Sequence, residues 1–390
     1  MLTACGASGT PAASTSASPQ GSAVSPSPSA SPSPEPSPSP SPSPAPSSGS
    51  TLELRIAGLL VVGFRGAFLE EAPWLRTALE TGGLGGVCLF DRDQQTGEAR
   101  NVRSPAQVTS LVAELRAAAG ARPIIVCTDQ EGGQVNRLSP AHGFPAAASE
   151  AAIGHGTAAA AKTWASGLAR TLASVGVDLD LAPVVDLDIN PKNPAVGALD
   201  RSFSADPDVV VEMATIEIEA MRAAGIRTTL KHFPGLGSAT VNTDDGIADI
   251  TDTWSEIELE PYRRLIAAGD VDVIMAAHII DRHLDPAYPA SLSHAIITGM
   301  LRGQLGWDGV VITDDLQAAA IQKTVGVDGA MALALNAGDD LLLLANQQRY
   351  DASIVDHAVA VVSAAVADGT VPAATIDQAF ARVQALLGVA

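Results

Sequence analysis

The chain has 390 residues, with 43 Asp and Glu against 23 Lys and Arg, for a formal charge of −20. That sign argues against nucleic acid as a partner. Three cysteines are too few for a disulfide framework.

The N-terminus differs from the rest. Residues 11–50 are almost entirely Ser, Pro, Ala, Gly and Thr, and Glu35 is the one charged residue in the first 50, so the remainder carries −19. Such a segment cannot bury enough apolar surface to offset its ordering entropy. It is expected to be a disordered, semi-stiff stalk. Leu2-Thr3-Ala4-Cys5 resembles a bacterial lipobox, which makes residues 1–10 the remnant of a lipoprotein signal. The basic and apolar segments that normally precede a lipobox are missing. Either the true start lies upstream or the match is chance, and the spacer after Cys5 favours the first. The expectation is a lipoprotein on the extracellular face of the cell envelope, touching the membrane through a lipid on Cys5 alone. No later apolar run is long enough to span a bilayer.

From residue 51 the pattern is strand then helix, repeated. Leu59–Phe64 reads as a strand, followed by a helix over Glu70–Glu80. Strand Gly86–Phe90 precedes helix Pro105–Ala119, and strand Pro123–Thr128 precedes helix Ala158–Ser174. Strand Val177–Val185 is followed by helix Asp208–Ala224, and strand Thr228–Phe233 by helix Glu256–Ala268. Strand Val271–Ile280 leads to helix Ala295–Leu305, strand Gly309–Thr313 to helix Gly326–Ala337, and strand Leu341–Leu344 to helices Ile354–Ala367 and Ala374–Leu387. Unbroken apolar strands in strict alternation with helices imply parallel strands buried on both faces. Eight units suit one α/β domain over 51–390, a single (β/α)₈ barrel of the TIM type. An open doubly wound sheet is the alternative, but no Gly-x-Gly-x-x-Gly follows the first strand and nothing points to a dinucleotide or other cofactor. Cys88 and Cys127 lie in strand-like runs and read as small core residues.

Polar residues collect at the strand ends. The third strand ends in Asp129-Gln130-Glu131-Gly132-Gly133, with Arg137 shortly after. The fourth ends near Asp186, and its loop carries Asp200-Arg201-Ser202-Phe203. The fifth ends in Lys231-His232, the sixth in His278 and the seventh in Thr313-Asp314-Asp315. All point to one rim, where a barrel places its chemistry. Buried unpaired charges would cost several kcal/mol each, so a core does not explain them. Such a ring suits a polyhydroxylated ligand. Metal is the rival, but His232, His278 and Asp314 lack compact ligand spacing, so no metal is expected.

Taken together, Thr128-Asp129-Gln130-Glu131-Gly132-Gly133…Arg137, Asp200-Arg201-Ser202-Phe203, Lys231-His232-Phe233-Pro234-Gly235, Pro289-Ala290-Ser291-Leu292-Ser293 and Gly309-Val310-Val311-Ile312-Thr313-Asp314-Asp315-Leu316 resemble glycoside hydrolase family 3. The similarity is to its bacterial β-N-acetylglucosaminidase (β-N-acetylhexosaminidase) branch and covers residues 54–390. It implies a (β/α)₈ fold, no cofactor, a carbohydrate substrate and a monomer. It implies that Asp314 is the nucleophile of a retaining mechanism, with Asp315 as the competing neighbour. It implies that Asp129, Arg137, Arg201, Lys231 and His232 hold sugar hydroxyls. Asp129 with Arg137 also reads as a salt bridge under a Gly-Gly turn.

One departure stands out. The branch usually has Pro-Gly-His-Gly and then an Asp-Ser-His triplet after the fifth strand, whose His is the acid/base. Here Leu236 replaces the first His, and Asn242-Thr243-Asp244 stands where the triplet is expected. Either Asp244 (or Asp245) is the general acid, its pKa raised by desolvation, or the site binds sugar and turns over poorly. The expected function is therefore removal of terminal β-linked N-acetylglucosamine, including from peptidoglycan fragments, with a weakened sugar-binding envelope protein as the alternative. A shifted specificity such as β-glucosidase is a third reading. Those relatives usually carry a second α/β domain supplying the acid/base, and this sequence stops just after the expected barrel.

Overall fold

Eight short apolar runs form parallel strands: β1 (Leu60–Gly63), β2 (Gly86–Leu89), β3 (Ile125–Thr128), β4 (Leu179–Asp180), β5 (Arg227–Phe233), β6 (Val273–Ala276), β7 (Val310–Thr313) and β8 (Leu342–Leu344). The structure is a computed structural model and describes residues 50–389. The expected lipobox, and all of the expected stalk but its last residue, lie outside the described residues. Sequential strands pair in parallel from β1 to β7, and β8 pairs with β1. The remaining gap is spanned by a parallel bridge between Ile312 and Leu341, with Thr313 N–H donating to Leu341 O at 3.0 Å. The sheet thus curls into a nearly closed barrel, in place of the open doubly wound alternative.

The strands are buried on both faces, as their unbroken apolar runs require. Helices cover the outside: α1 (Leu52–Ala57), α2 (Pro73–Glu80), α3 (Pro105–Ala119), α4 (Ala158–Val175), α5 (Pro207–Ala223) and α6 (Glu260–Ala268). After Ala295–Gln304, wound with wider π-type turns, come α7 (Gly326–Ala337), α8 (Ile354–Ala367) and α9 (Ala373–Leu386). Local chemistry sets their ends. Ser104 caps α3 by accepting from Gln107 N–H, and Asp206 caps α5, each with proline at the first helical position. Gly176 and Gly269 end α4 and α6 in the left-handed region. Buried alanines of α4 (Ala161, Ala165, Ala169) let it pack closely against its neighbour α5.

Three departures from the expected elements shape the site. The expected strand Val177–Val185 is reduced to β4, because Pro183 has no N–H to give the ladder; beyond it Val184 makes one isolated bridge to Lys231. The expected strand Val271–Ile280 is split. β6 ends at Ala276, and Ile279–Ile280 pairs instead with Ala248–Asp249 in a separate two-stranded sheet. After β3 the chain forms a small antiparallel hairpin, Gln130–Gly132 with Val135–Asn136, where a loop is expected. Gly132 makes this turn at φ 86°, and a Cβ there would lie 2.2 Å from Ala148 O, so only glycine fits.

Candidate active site

At the C-terminal ends of the strands lies a pocket of about 180 Å³. Asp129, Arg137, Arg201, Lys231, His232, Asp244 and Asp314 all line it. Residues drawn from five separate strand ends and loops therefore meet in one place.

The hairpin after β3 explains one side. It turns the chain back so that Arg137 reaches Asp129 (NH2 to Oδ2, 3.4 Å) and also Asp91 (3.6 Å). The salt bridge expected under the Gly-Gly turn is present, and both partners still face the pocket. From β5, buried Lys231 donates to Asp129 Oδ1 at 2.9 Å and lies 2.7 Å from Glu131 Oε1. Arg201 grips Glu131 with two bonds, Nε to Oε2 at 2.7 Å and NH2 to Oε1 at 2.8 Å. Burial opposes the charge on each member, and the partners outweigh it. Lys231 and Arg137 hold Asp129 well below the usual carboxylate range, and Arg201 and Lys231 hold Glu131 down to about 2. Asp129 and Glu131 push Lys231 up, and Glu131 does the same for Arg201. The network stays ionised across the physiological range, with its cations held rigidly at the pocket wall.

His232 is fixed by Asp186. The Asp186 carboxylate accepts from the His232 ring at Nδ1 (2.7 Å) and from the backbone N–H of His232 (3.1 Å) and Leu236 (2.8 Å). Because a carboxylate only accepts, Nδ1 carries the proton and Nε2 turns toward Arg201, 3.5 Å away.

Asp314 and Asp315 are adjacent but differently engaged. Asp315 Oδ1 accepts from Gln317 N–H (3.1 Å) and Ala345 N–H (3.0 Å), and burial pushes its pKa up to about 7. Its own N–H donates to Asp314 Oδ1 at 2.8 Å. His278 Nε2 donates to Asp315 O at 2.9 Å and Nδ1 takes the Ser291 hydroxyl at 2.6 Å. Both ring nitrogens are thus spent on protein, and burial lowers the pKa of the ring.

Asp244 lies at the mouth, on the loop after β5. Its side chain reaches solvent there, but the surrounding walls thin its hydration. That desolvation, and then the charge of Asp314, raises its pKa to about 6. At neutral pH the pocket thus presents one carboxyl poised to exchange a proton and a second, Asp314, held by a backbone N–H. Leu236, where the resemblance expects histidine, is buried in the pocket lining.

Three contributing residues were not singled out from sequence. Glu131 stands inside the quoted Asp129–Gly133 motif and is the hub of the cation network. Asp186 was visible only as a strand end. Glu258 gives no sequence signal: it arrives from the turn Glu256–Leu259, accepts from Ser238 N–H at 3.3 Å and is pushed up by burial to about 7. It buttresses the start of the Asp244 loop, at a point where Gly237 packs so tightly that a Cβ would lie 2.0 Å from Leu187 O.

The Glycosyl hydrolase family 3 N terminal domain matches residues 51–386. A protein named Beta-hexosaminidase from Xylella fastidiosa (strain M23) is 38% identical over 309 residues, which span 74% of this chain and 84% of that one. The β-N-acetylhexosaminidase of Beutenbergia cavernae DSM 12333 is similar in structure, with a TM-score of 0.78 at 32% identity, over 88% of this chain and 100% of that one. The glycoside hydrolase family 3 β-N-acetylglucosaminidase of Paenibacillus sp. str. FPU-7 gives a TM-score of 0.77 at 33% identity, over 87% of this chain and 62% of that longer one.

Proposed function

The chain belongs to glycoside hydrolase family 3 and is a glycoside hydrolase, and we propose that it is a retaining exo-glycosidase removing terminal β-linked N-acetylglucosamine. The single observation that carries this reading is the pairing of Asp314 with Asp244 across one pocket, the second with its pKa raised to about 6. The names of the relatives support the sugar.

In the first step a carboxylate oxygen of Asp314 attacks the anomeric carbon while Asp244 gives its proton to the departing glycosidic oxygen. A glycosyl-enzyme ester results. In the second step Asp244, now a carboxylate, takes a proton from water as that water attacks the same carbon and releases Asp314. Two displacements return the original configuration. The Asp315 N–H orients the attacking carboxylate. Asp129, Arg137, Arg201, Lys231 and His232 supply fixed donors and acceptors for hydroxyls, held in place before substrate arrives.

Hydrolysis of an aryl β-N-acetylglucosaminide, followed by NMR at early times, tests this. Release of the β-anomer by wild type, with none from Asp314→Asn, is the expected result. Release of the α-anomer removes the retaining mechanism. Binding of the sugar with no turnover even of this activated substrate supports the weakened binding protein instead, the reading that the altered Asn242-Thr243-Asp244 triplet raises. The lipobox resemblance extends the proposal to peptidoglycan fragments as substrate and to a monomer tethered at the outer envelope by a lipid on Cys5. Metabolic labelling with a fatty-acid analogue, lost in Cys5→Ser, tests the tether.

A further inference from the structure

We propose that Lys323 and Gln348 are positioning residues that latch the Asp244 loop over Asp314. The inference rests on Asp244 being the general acid and goes further, to what fixes its distance from the nucleophile.

The loop after β5 ends in a self-contained turn. Asp245 and Gly246 N–H both donate to Asn242 O at 3.0 Å, and Asp244 N–H donates to Asn242 Oδ1 at 3.0 Å. These bonds tie Asn242–Gly246 into one self-bonded turn. Its three central carbonyls point outward and are taken in succession: Thr243 O by Ala320 N–H at 3.1 Å, Asp244 O by Gln348 Nε2 at 3.4 Å, and Asp245 O by Lys323 Nζ at 2.7 Å. None of these donors belongs to β5 or its helix. Ala320 and Lys323 belong to the segment that begins with Asp314, and Gln348 follows β8. The stretch carrying the nucleophile therefore also holds the acid.

The choice of acceptor matters. An ammonium set on the Asp244 carboxylate would favour its ionised form and spoil it as a proton donor. Lys323 instead spends its charge on the neighbouring carbonyl. The loop is held while the carboxyl keeps its raised pKa of about 6. Lys323 and Gln348 are both accessible to water, so each bond alone is weak and the latch works through the pair.

The test compares Lys323→Met, Gln348→Leu, the double variant, Lys323→Arg and Asp244→Asn on two substrates: an N-acetylglucosamine disaccharide, whose leaving group needs a proton, and an activated aryl glycoside, whose leaving group does not. The double variant is expected to lose about tenfold in kcat/KM on the disaccharide, a part of what a general acid supplies, and to keep its aryl activity. The alkaline limb of its pH profile moves below 6 as the freed carboxyl gains water, and Lys323→Arg behaves as wild type. Equal loss on both substrates marks a merely structural role and overturns the latch, as does no loss on either. If Asp244→Asn discriminates between leaving groups and the double variant does not, the latch fails and the acid assignment stands. If Asp244→Asn does not discriminate, the acid assignment fails and the latch falls with it.

Discussion

The backbone N–H of Asp315 donates to Asp314 Oδ1 at 2.8 Å, which gives two neighbouring carboxyls opposite tasks. Asp315 is turned inward onto the N–H groups of Gln317 and Ala345 and ties β7 to the segment after β8. Asp314 is left with an oxygen for the pocket. Asp314→Asn should lower kcat by more than about 10³-fold with the melting temperature unchanged. Asp315→Asn should instead lower the melting temperature, since an amide cannot accept from both N–H groups and also avoid leaving its own NH₂ unpaired. Steady-state kinetics and calorimetry on the two variants separate the assignments. An active Asp314→Asn enzyme transfers the role to another residue.

Asp244 sets the pH dependence. A general acid must be protonated, so kcat/KM should fall as pH rises through about 6, the pKa that desolvation and Asp314 give it. Asp244→Asn removes that limb. It should cost about 10²–10⁴-fold on a disaccharide and far less on an activated aryl glycoside. Addition of azide, a small anionic nucleophile that needs no base, should restore turnover of the aryl substrate and yield the β-glycosyl azide. A limb that survives the substitution belongs to another group.

The barrel was readable because parallel strands buried on both faces leave long apolar runs, and Gly86–Leu89 or Val310–Thr313 has no other use for one. Strand ends were less readable. Pro183 stops β4 after two residues, and the turn at His278 diverts Ile279–Ile280 to a second sheet; neither event changes local hydropathy. All seven site residues named from sequence line one pocket, because barrel topology brings strand ends to one rim regardless of separation along the chain. Glu131 and Asp186 escaped because their work is done on other side chains. Glu131 neutralises Arg201 and Lys231, and Asp186 holds His232, and such partnerships exist only once the strands are assembled.

Glu131 provides a direct measure of that partnership. It is buried and shared between buried Lys231 and half-buried Arg201, so Glu131→Gln leaves positive charge uncompensated and should cost roughly 3–5 kcal/mol. Lys231→Met should cost a similar amount. The double variant should cost less than the sum, because each change relieves part of the imbalance left by the other. Chemical denaturation of the four proteins closes the cycle. Additive losses show that the residues are not coupled.

Stability should decline from pH 5 to pH 8, a range over which the paired carboxylates alone would give almost no change. Asp129 and Glu131 are held low by their cations, so the stability they add is complete above their unfolded values and is lost only in acid, near pH 2 for Glu131. Asp180 and Glu258 run the other way. Asp180 Oδ1 accepts from Gln130 N–H while Oδ2 has no partner among the described residues, and burial raises its pKa from 3.8 to about 8. Burial raises Glu258 from 4.5 to about 7, and buried Glu150 and Glu217 move in the same direction. Groups raised in the fold stabilise it fully below their unfolded pKa, and that contribution disappears as pH rises through the folded one. Across pH 5 to 8 this set titrates together with Asp244 and Asp315, which burial also raises, and these carboxyls outnumber buried His278, whose lowered pKa acts in the opposite sense, so the melting temperature should fall. Asp180→Asn keeps the acceptor for Gln130 and removes the ionisation; its unpaired NH₂ lowers the curve at every pH, but the curve should be flatter, so the deficit against wild type is smallest at pH 8. Calorimetry at constant ionic strength in steps from pH 5 to 8.5 decides the matter. A wild-type melting temperature that rises over this range, or an Asp180→Asn curve parallel to it, excludes Asp180 as a source of the effect.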